Sequence, residues 1–318
     1  MANFTSNHSR SPSHVLLEPL DAWYWVIRGI IAILTITGNG LVMYFITFKR
    51  RLRVTNNWFV LSLSVSDFCI GLFTTTSGFA CTFHFRCDWR LQIAFYNFFL
   101  FSSTLNLWAM AIDRYIGIVH SLRYTSLMTS KRVIAITATS WGISFVAAFV
   151  RLLWFHDNHF DQTIEKYYRV AIDLLFGAVS CVVLIFIYVR VLLISRKLAR
   201  QIASQANEVS YNYKTNDSKL QRQARRNLST RLLGSVILLF VLCNSLSVYI
   251  SFCKTFRLCS INPTAMFAAY LLAHFNSAVN FLVYALMKKD IRLELRRLCR
   301  CGNLVYPPES HGEFSLTK

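Results

Sequence analysis

Proline, glycine and acidic side chains are scarce in this chain, at 5, 11 and 15 among 318 residues. So little glycine argues against a Gly-rich phosphate-binding fold, and a charged content of 15% falls well below the roughly 25% of soluble domains. Most soluble enzymes are thereby excluded. No His-Glu-x-x-His, Gly-x-Ser-x-Gly or Cys-x-x-Cys pair occurs, and no apolar span carries two closely spaced acids, which leaves membrane enzymes without a motif. Residues 1–21 lack the apolar core of a cleavable signal peptide. There is no repeat of 20 to 50 residues and no pair of Pro/Gly-broken spans of the kind found in many secondary transporters.

Apolar and basic side chains are abundant instead. Hydrophobic residues make up 54%, Phe alone numbers 26, and 34 Lys and Arg give a formal net charge of +19. Such a balance suits either nucleic acid or the anionic inner face of a membrane. Distribution decides between them. Crossing about 30 Å of hydrocarbon takes about 20 apolar residues, and seven stretches of that length are visible, at 23–48, 57–80, 91–119, 132–154, 168–195, 231–253 and 264–287. The fold class expected is an all-α membrane protein, a seven-transmembrane helix bundle. Its parts are an N-terminal tail (1–22), the bundle (23–287, with a loop at 196–230) and a C-terminal segment (288–318).

Lys and Arg set the orientation, because cytoplasmic loops retain positive charge. Lys49, Arg50, Arg51 and Arg53 follow the first span; Arg123, Lys131 and Arg132 follow the third; the loop after the fifth holds nine basic residues; Lys288 and Lys289 follow the seventh. These alternate with weakly charged loops, so the N-terminus is expected outside and the tail inside. The sequons at Asn3 and Asn7 agree, since both then face the glycosylating compartment. The run Gln221-Arg222-Gln223-Ala224-Arg225-Arg226 is read as a juxtamembrane segment meeting lipid or a cytosolic partner, not nucleic acid.

Polar residues inside spans are expensive and usually functional. Asp67 lies midway along the second span, Asn39 inside the first, and Ser102 and Ser103 inside the third. Asn276 and Asn280 lie four apart in the seventh, on one helical face, with Tyr284 continuing the stripe. A bundle gathering these groups at one depth offers either a small-cation or proton site at Asp67, or a hydrogen-bonded helix interface without an ion. At the inner end of the third span comes Asp113-Arg114-Tyr115, followed by Ser121-Leu122-Arg123. Arg28 is expected to snorkel to the interface.

In order and depth, Gly38-Asn39-Gly40-Leu41-Val42, Asp67, Asp113-Arg114-Tyr115, Trp141, Tyr188 and Asn280-Phe281-Leu282-Val283-Tyr284 resemble the helix signatures of rhodopsin-like (class A) G-protein-coupled receptors. The resemblance covers about Gly38 to Arg297. It implies a plasma-membrane receptor that binds an extracellular ligand and activates heterotrimeric G proteins. It further implies that Asp113 restrains Arg114 at rest, that Arg114 turns to the G protein with Leu122 nearby, and that Tyr188 and Tyr284 move inward. A sodium site at Asp67, Ser103, Asn276 and Asn280 is implied as well, with no other metal or cofactor. The segment Lys288–Leu298 resembles the short amphipathic surface helix after span seven, with Cys299 and Cys301 as palmitoylation candidates.

Departures from the family pattern are equally specific. All five prolines lie outside the span interiors, so Ser180, Leu246 and Phe281 occupy positions where span five, six and seven usually have proline. Asn244 replaces the tryptophan of span six, and with Ser245 and Ser247 it offers side-chain-to-backbone bonding that softens a helix. Arg226 stands where some members place an acid that locks Arg114, so appreciable basal activity is expected. No cysteine occurs at 156–167 to receive the usual bridge from span three. Of the three pairings open to Cys81, Cys87, Cys253 and Cys259, closure within each loop, Cys81–Cys87 and Cys253–Cys259, needs the least reach. Melanocortin-type receptors are similar in lacking that bridge and the span-five proline.

For the ligand, Tyr96 stands where amine receptors carry aspartate, and residues 270–275 carry no lysine for retinal, so amines and retinal are disfavoured. Tyr96, Arg151, Asp173 and His274 are the pocket candidates, each also readable as an interhelical hydrogen-bonding residue. The rivals are a transporter or channel relaying ions through Asp67, Asp173 and His274, and a receptor-like protein that no longer couples.

Overall fold

In hydrocarbon a backbone N–H or C=O finds no water, so a spanning segment must satisfy its own hydrogen bonds as helix. The structure, a computed structural model describing residues 22–54, 57–83, 87–120, 122–154, 162–208, 213–287 and 289–300, obeys this throughout. The first span is α1 (Ala22–Phe48). The second is α2 (Asn57–Cys69), which passes through a π-helical turn at Ile70–Thr74 into α3 (Thr75–Thr82). The third is α4 (Trp89–Val119), followed by the one-turn α5 (Tyr124–Leu127) and the fourth span α6 (Ser130–Phe149). The fifth is α7 (Gln162–Ile172), a π-helical stretch Asp173–Val179, and α8 (Ser180–Glu208). The sixth is α9 (Tyr213–Phe256), the seventh α10 (Pro263–Met287), and α11 (Lys289–Arg300) follows.

Six of these spans are long and apolar enough to cross a membrane by length and hydropathy; the third is the exception. Its place in the bundle explains why. α4 packs against α2, α6, α8 and α9, and its polar Ser102, Ser103, Thr104 and Asn106 are all buried. A central helix touches protein on most sides, so it does not need an apolar surface for lipid. The outer helices differ. Val182, Phe186, Val189 and Leu193 form an exposed stripe along α8 at helical spacing. Inward, Val42, Phe45, Phe59, Leu63, Leu107, Ala111, Val236, Phe240 and Val283 join in one core that ties α1, α2, α4, α9 and α10. The helices of spans five and six also run on past the membrane, to Glu208 and from Tyr213, so most of the basic segment 196–230 is helical.

The missing prolines are replaced by other devices. In span five the π-helical stretch supplies the irregularity, and Ser180 Oγ donates to the Leu175 carbonyl at 3.0 Å. In span six Asn244 Nδ2 donates to the Phe240 carbonyl at 2.8 Å and Ser245 Oγ to that of Leu242 at 3.0 Å, while Ser247 Oγ crosses to the Ala269 carbonyl of α10 at 3.3 Å. In span seven Phe281 lays its ring over Gly38 of α1, where any Cβ would overlap it.

That last contact gives a stability test. Gly38→Val should cost about 1–3 kcal/mol, read as a lower Tm of the solubilised protein, because the added side chain overlaps the Phe281 ring and forces it to shift. Adding Phe281→Ala should restore part of the loss. Gly142→Ala, at a helical glycine with open space around it, should leave Tm unchanged or raise it.

Candidate functional site

Polar side chains collect at three depths. In the middle, Asp67 is fully buried on α2. Its Oδ1 accepts from Ser103 Oγ of α4 at 2.8 Å and its Oδ2 from Asn280 Nδ2 of α10 at 2.8 Å. Asn39 Nδ2 of α1 donates to the Ser277 carbonyl at 3.2 Å, so four spans meet through side-chain hydrogen bonds at one level. Trp141 Nε1 of α6 adds a bond to Ser62 Oγ at 2.9 Å. Of the proposed ion ligands, Asp67, Ser103 and Asn280 come together. Asn276 is buried too, yet its Oδ1 has no hydrogen-bond partner. The Asp67 carboxylate and the Ser103 hydroxyl are hard oxygen donors of the kind a small cation takes, and the unpartnered Asn276 oxygen lies one helical turn before Asn280.

At the end where α4 terminates, Arg114 Nη2 lies 3.0 Å from Asp113 Oδ2, and Asp113 is buried while Arg114 is partly exposed. Asp113 has a second partner that sequence reading missed. Tyr124 of α5 donates from its hydroxyl to Asp113 Oδ1 at 2.7 Å. Desolvation and the neighbouring carboxylate push the Tyr124 phenol up from its usual value, so it stays protonated and remains a donor. The only signal for this in the sequence was a tyrosine one short loop beyond the helix end. Leu122 is almost wholly exposed beside this latch, and Tyr115 packs against the core. Tyr188 fills the notch left by Gly234 of α9, where a Cβ would lie 2.5 Å from its hydroxyl. The side chains of Tyr284, Arg226 and Cys299, and Asn3, Asn7 and Cys301 entirely, lie outside what the structure describes.

At the opposite end the four pocket candidates separate into three groups. Tyr96 and His274 stack with ring centroids 5.5 Å apart, and His274 Nε2 meets Thr74 Oγ1 at 3.2 Å. Arg151 is instead tied to Glu165, which accepts from its Nη2 at 2.5 Å and its Nε at 3.1 Å, and from Arg169 Nε at 2.8 Å and Trp154 Nε1 at 3.3 Å. Asp173 accepts from Ser251 of α9. Arg28 does not snorkel. It is buried, donating to the Thr74 carbonyl and the Tyr24 hydroxyl, because Gly78 leaves the hollow that its guanidinium fills. Both expected disulfides, Cys81–Cys87 and Cys253–Cys259, are present. Beside the second, a cavity of about 510 Å³ is lined by Lys254, Arg257, Leu258 and Met266 among others. Among the described residues no group of three or more His, Cys, Asp or Glu is placed to hold a metal.

Comparison with known proteins agrees with this layout. The profile of the seven-transmembrane receptors of the rhodopsin family matches residues 38–284. Adenosine receptor A2b of Gallus gallus is 28% identical over 317 residues, covering 89% of each chain. Adenosine receptor A2a of Homo sapiens is 29% identical over 312 residues (87% of this chain, 72% of the relative). The histamine H2 receptor of Canis lupus familiaris is 27% identical over 307 residues (90% and 80%). The melanocortin likeness rests on the cysteine pattern and the absent proline alone.

Among the described residues Glu165 is the acid that accepts from both Arg151 and Arg169, which yields a direct test. Glu165→Ala removes the two hydrogen bonds it accepts from the largely buried Arg151 and should lower the Tm of the purified protein, a cost of about 1–3 kcal/mol. Glu165→Gln, which retains acceptor capacity, should cost less.

Proposed function

Because the chain belongs to the rhodopsin family of seven-transmembrane receptors, and so is a cell-surface G-protein-coupled receptor, we propose that Arg114 is its principal contact with the G protein. The observation that carries this reading is the paired restraint on Asp113: its carboxylate holds Arg114 on one oxygen and Tyr124 on the other. Breaking the Asp113 pair frees the guanidinium to swing toward a partner at that face, and losing the Tyr124 bond frees the Asp113 carboxylate to move and so loosens that pair. Tyr115, Leu122, Tyr188 and Tyr284 complete the coupling surface and switch. The N-terminus is extracellular, with Asn3 and Asn7 glycosylated, and Cys299 and Cys301 carry palmitate beside α11. The chain has no enzymatic activity.

The Asp67 knot is read as the site of a sodium ion, held by Asp67, Ser103, Asn276 and Asn280, that favours the resting state. A cation held there would neutralise the buried carboxylate. Asp67 supplies the charge, Ser103 and Asn276 supply oxygens, and Asn280 orients Asp67 through its amide. On the ligand side Tyr96 and His274 form the wall of the pocket, while Arg151 and Asp173 shape it indirectly through Glu165 and Ser251. Tyr96 in place of an acid argues against an amine of the kind the histamine H2 relative is named for. A peptide or another small molecule remains the ligand class, and adenosine, named in two relatives, is a suitable first probe.

Guanine-nucleotide exchange by the reconstituted protein tests the coupling reading. Arg114→Ala should abolish exchange with surface expression preserved, and undiminished exchange would refute it. Asp113→Asn and Tyr124→Phe should each raise basal exchange, the first more, since it weakens a charge-assisted bond.

The ion site has its own test. Sodium, compared with choline at equal ionic strength, should lower basal exchange in the unmodified protein by stabilising the resting population. Asp67→Asn should erase that difference. Exchange indifferent to sodium would leave Asp67 as a helix-to-helix hydrogen-bonding residue.

A further inference from the structure

Arg28 lies about one and two-thirds turns into α1, about 9 Å along the axis at 1.5 Å per residue. A basic residue so near a helix end normally extends toward the interface. This one is folded inward and only 9% exposed. Nη2 donates to the Thr74 carbonyl at 2.8 Å and Nη1 to the Tyr24 hydroxyl at 3.0 Å. The guanidinium carbon lies 5.2 Å from the centroid of the Trp25 ring. Nε is buried and has no partner. Gly78 of α3 is shaped to this group, since a Cβ there would come within 2.9 Å of Nη2.

The same residues reach the Tyr96–His274 pair. Thr74, which closes the π-helical turn, gives its carbonyl to Arg28 and faces His274 Nε2 with its hydroxyl. Irregular turns of this kind in a helix are frequent at functional sites. Among the described residues no acidic side chain pairs with Arg28, so a permanently charged group is held inside the bundle on a carbonyl, a phenol and ring faces alone. Holding a cation inside the bundle with no acid beside it among the described residues is costly. A guanidinium has five N–H donors in a planar fork that matches carboxylate or phosphate. A second observation points the same way. The cavity beside Cys253–Cys259, at this same end of the bundle, is lined by Lys254 and Arg257 and by no acid. Arg257 adopts a left-handed φ of 54°, in the turn where Leu258 N–H closes α9 on the Cys253 carbonyl.

We propose that Arg28 is the anchor for an anionic group, carboxylate or phosphate, on the receptor's ligand, with Tyr96 and His274 binding the adjoining part of that ligand. The inference rests on reading this end of the bundle as the ligand side. Lys254 and Arg257 attract the anion at the entrance, and Arg28 receives it at the end of its path. The aromatic pair supplies a flat surface for a ring or sugar.

The test uses the purified full chain in lipid nanodiscs and matched probes that differ in the anion: adenosine 5′-monophosphate against adenosine, and phenylacetate against phenylacetamide. In at least one pair the anionic member should raise Tm saturably, at lower concentration than its neutral partner; the pair that responds tells phosphate from carboxylate. Arg28→Gln should weaken the anionic probe by at least about thirtyfold while leaving the neutral one near its original value. Gly78→Ala, which displaces the guanidinium without removing it, should weaken the anionic probe to a smaller degree and covers the case in which Arg28→Gln fails to fold. Equal effects within both pairs, or an anion preference that survives both substitutions, would overturn the inference. Failure of the receptor reading would show separately, as absent nucleotide exchange in the same preparation.

Discussion

The Asp67 carboxylate is fully buried, out of reach of bulk solvent, so its two oxygens draw hydrogen bonds from neighbouring helices. Ser103 and Asn280 do this at 2.8 Å each, which fixes the rotation of α2, α4 and α10 relative to one another. Asn39 then ties α1 to α10 through the Ser277 carbonyl. Apolar packing between helices is weakly directional in lipid, because the tails are as apolar as the side chains. Polar bonds at one depth therefore set the register that the apolar core fills. The notch at Gly38, occupied by Phe281, lies on the same α1–α10 seam and depends on that register.

From this level the bundle divides into two working ends. On one side Asp113 divides its carboxylate between Arg114 and Tyr124, so the helix end and the following loop are held by one group. On the other, charged side chains sit in small separate clusters: Arg151 and the exposed Arg169 on Glu165, Asp173 on Ser251, and Arg28 against a carbonyl and aromatic rings. Between the ends, span six is loosened by Asn244 and Ser245, which take carbonyls of their own helix, and span five by a π-helical stretch closed by Ser180. The chain thus retains bendable segments in spans five and six although proline is absent from both interiors.

Much of the fold was legible because hydrophobic length and basic flanks are properties of the residues themselves. The seven spans lie within a few residues of their expected bounds, except where α7, α8 and α9 continue as polar helix that hydropathy does not register. The third span was legible by length and order although too polar for a hydropathy criterion, since its polar residues face other helices. Asp67, Ser103 and Asn280 were recoverable because depth and family position coincide. What residue type and depth do not encode is azimuth. Arg151 and His274 lie near the same end of the bundle, yet one turns to Glu165 and the other to Thr74 and Tyr96. Arg28 was misread for the same reason: nothing in its own neighbourhood of the sequence announces the hollow at Gly78, fifty residues away. Tyr124 escaped notice because its partner is reached by a turn of the chain that periodicity cannot describe.

Coupling a change at one end of the bundle to guanine-nucleotide exchange at the other is what separates a receptor from a transporter or channel. The most direct test reconstitutes the full chain in liposomes with a panel of purified heterotrimeric G proteins and follows GDP release, while ion and solute flux are monitored in the same vesicles. Measurable basal release from at least one G protein without accompanying flux is expected. Flux through the vesicles with no acceleration of release from any member of the panel would contradict it.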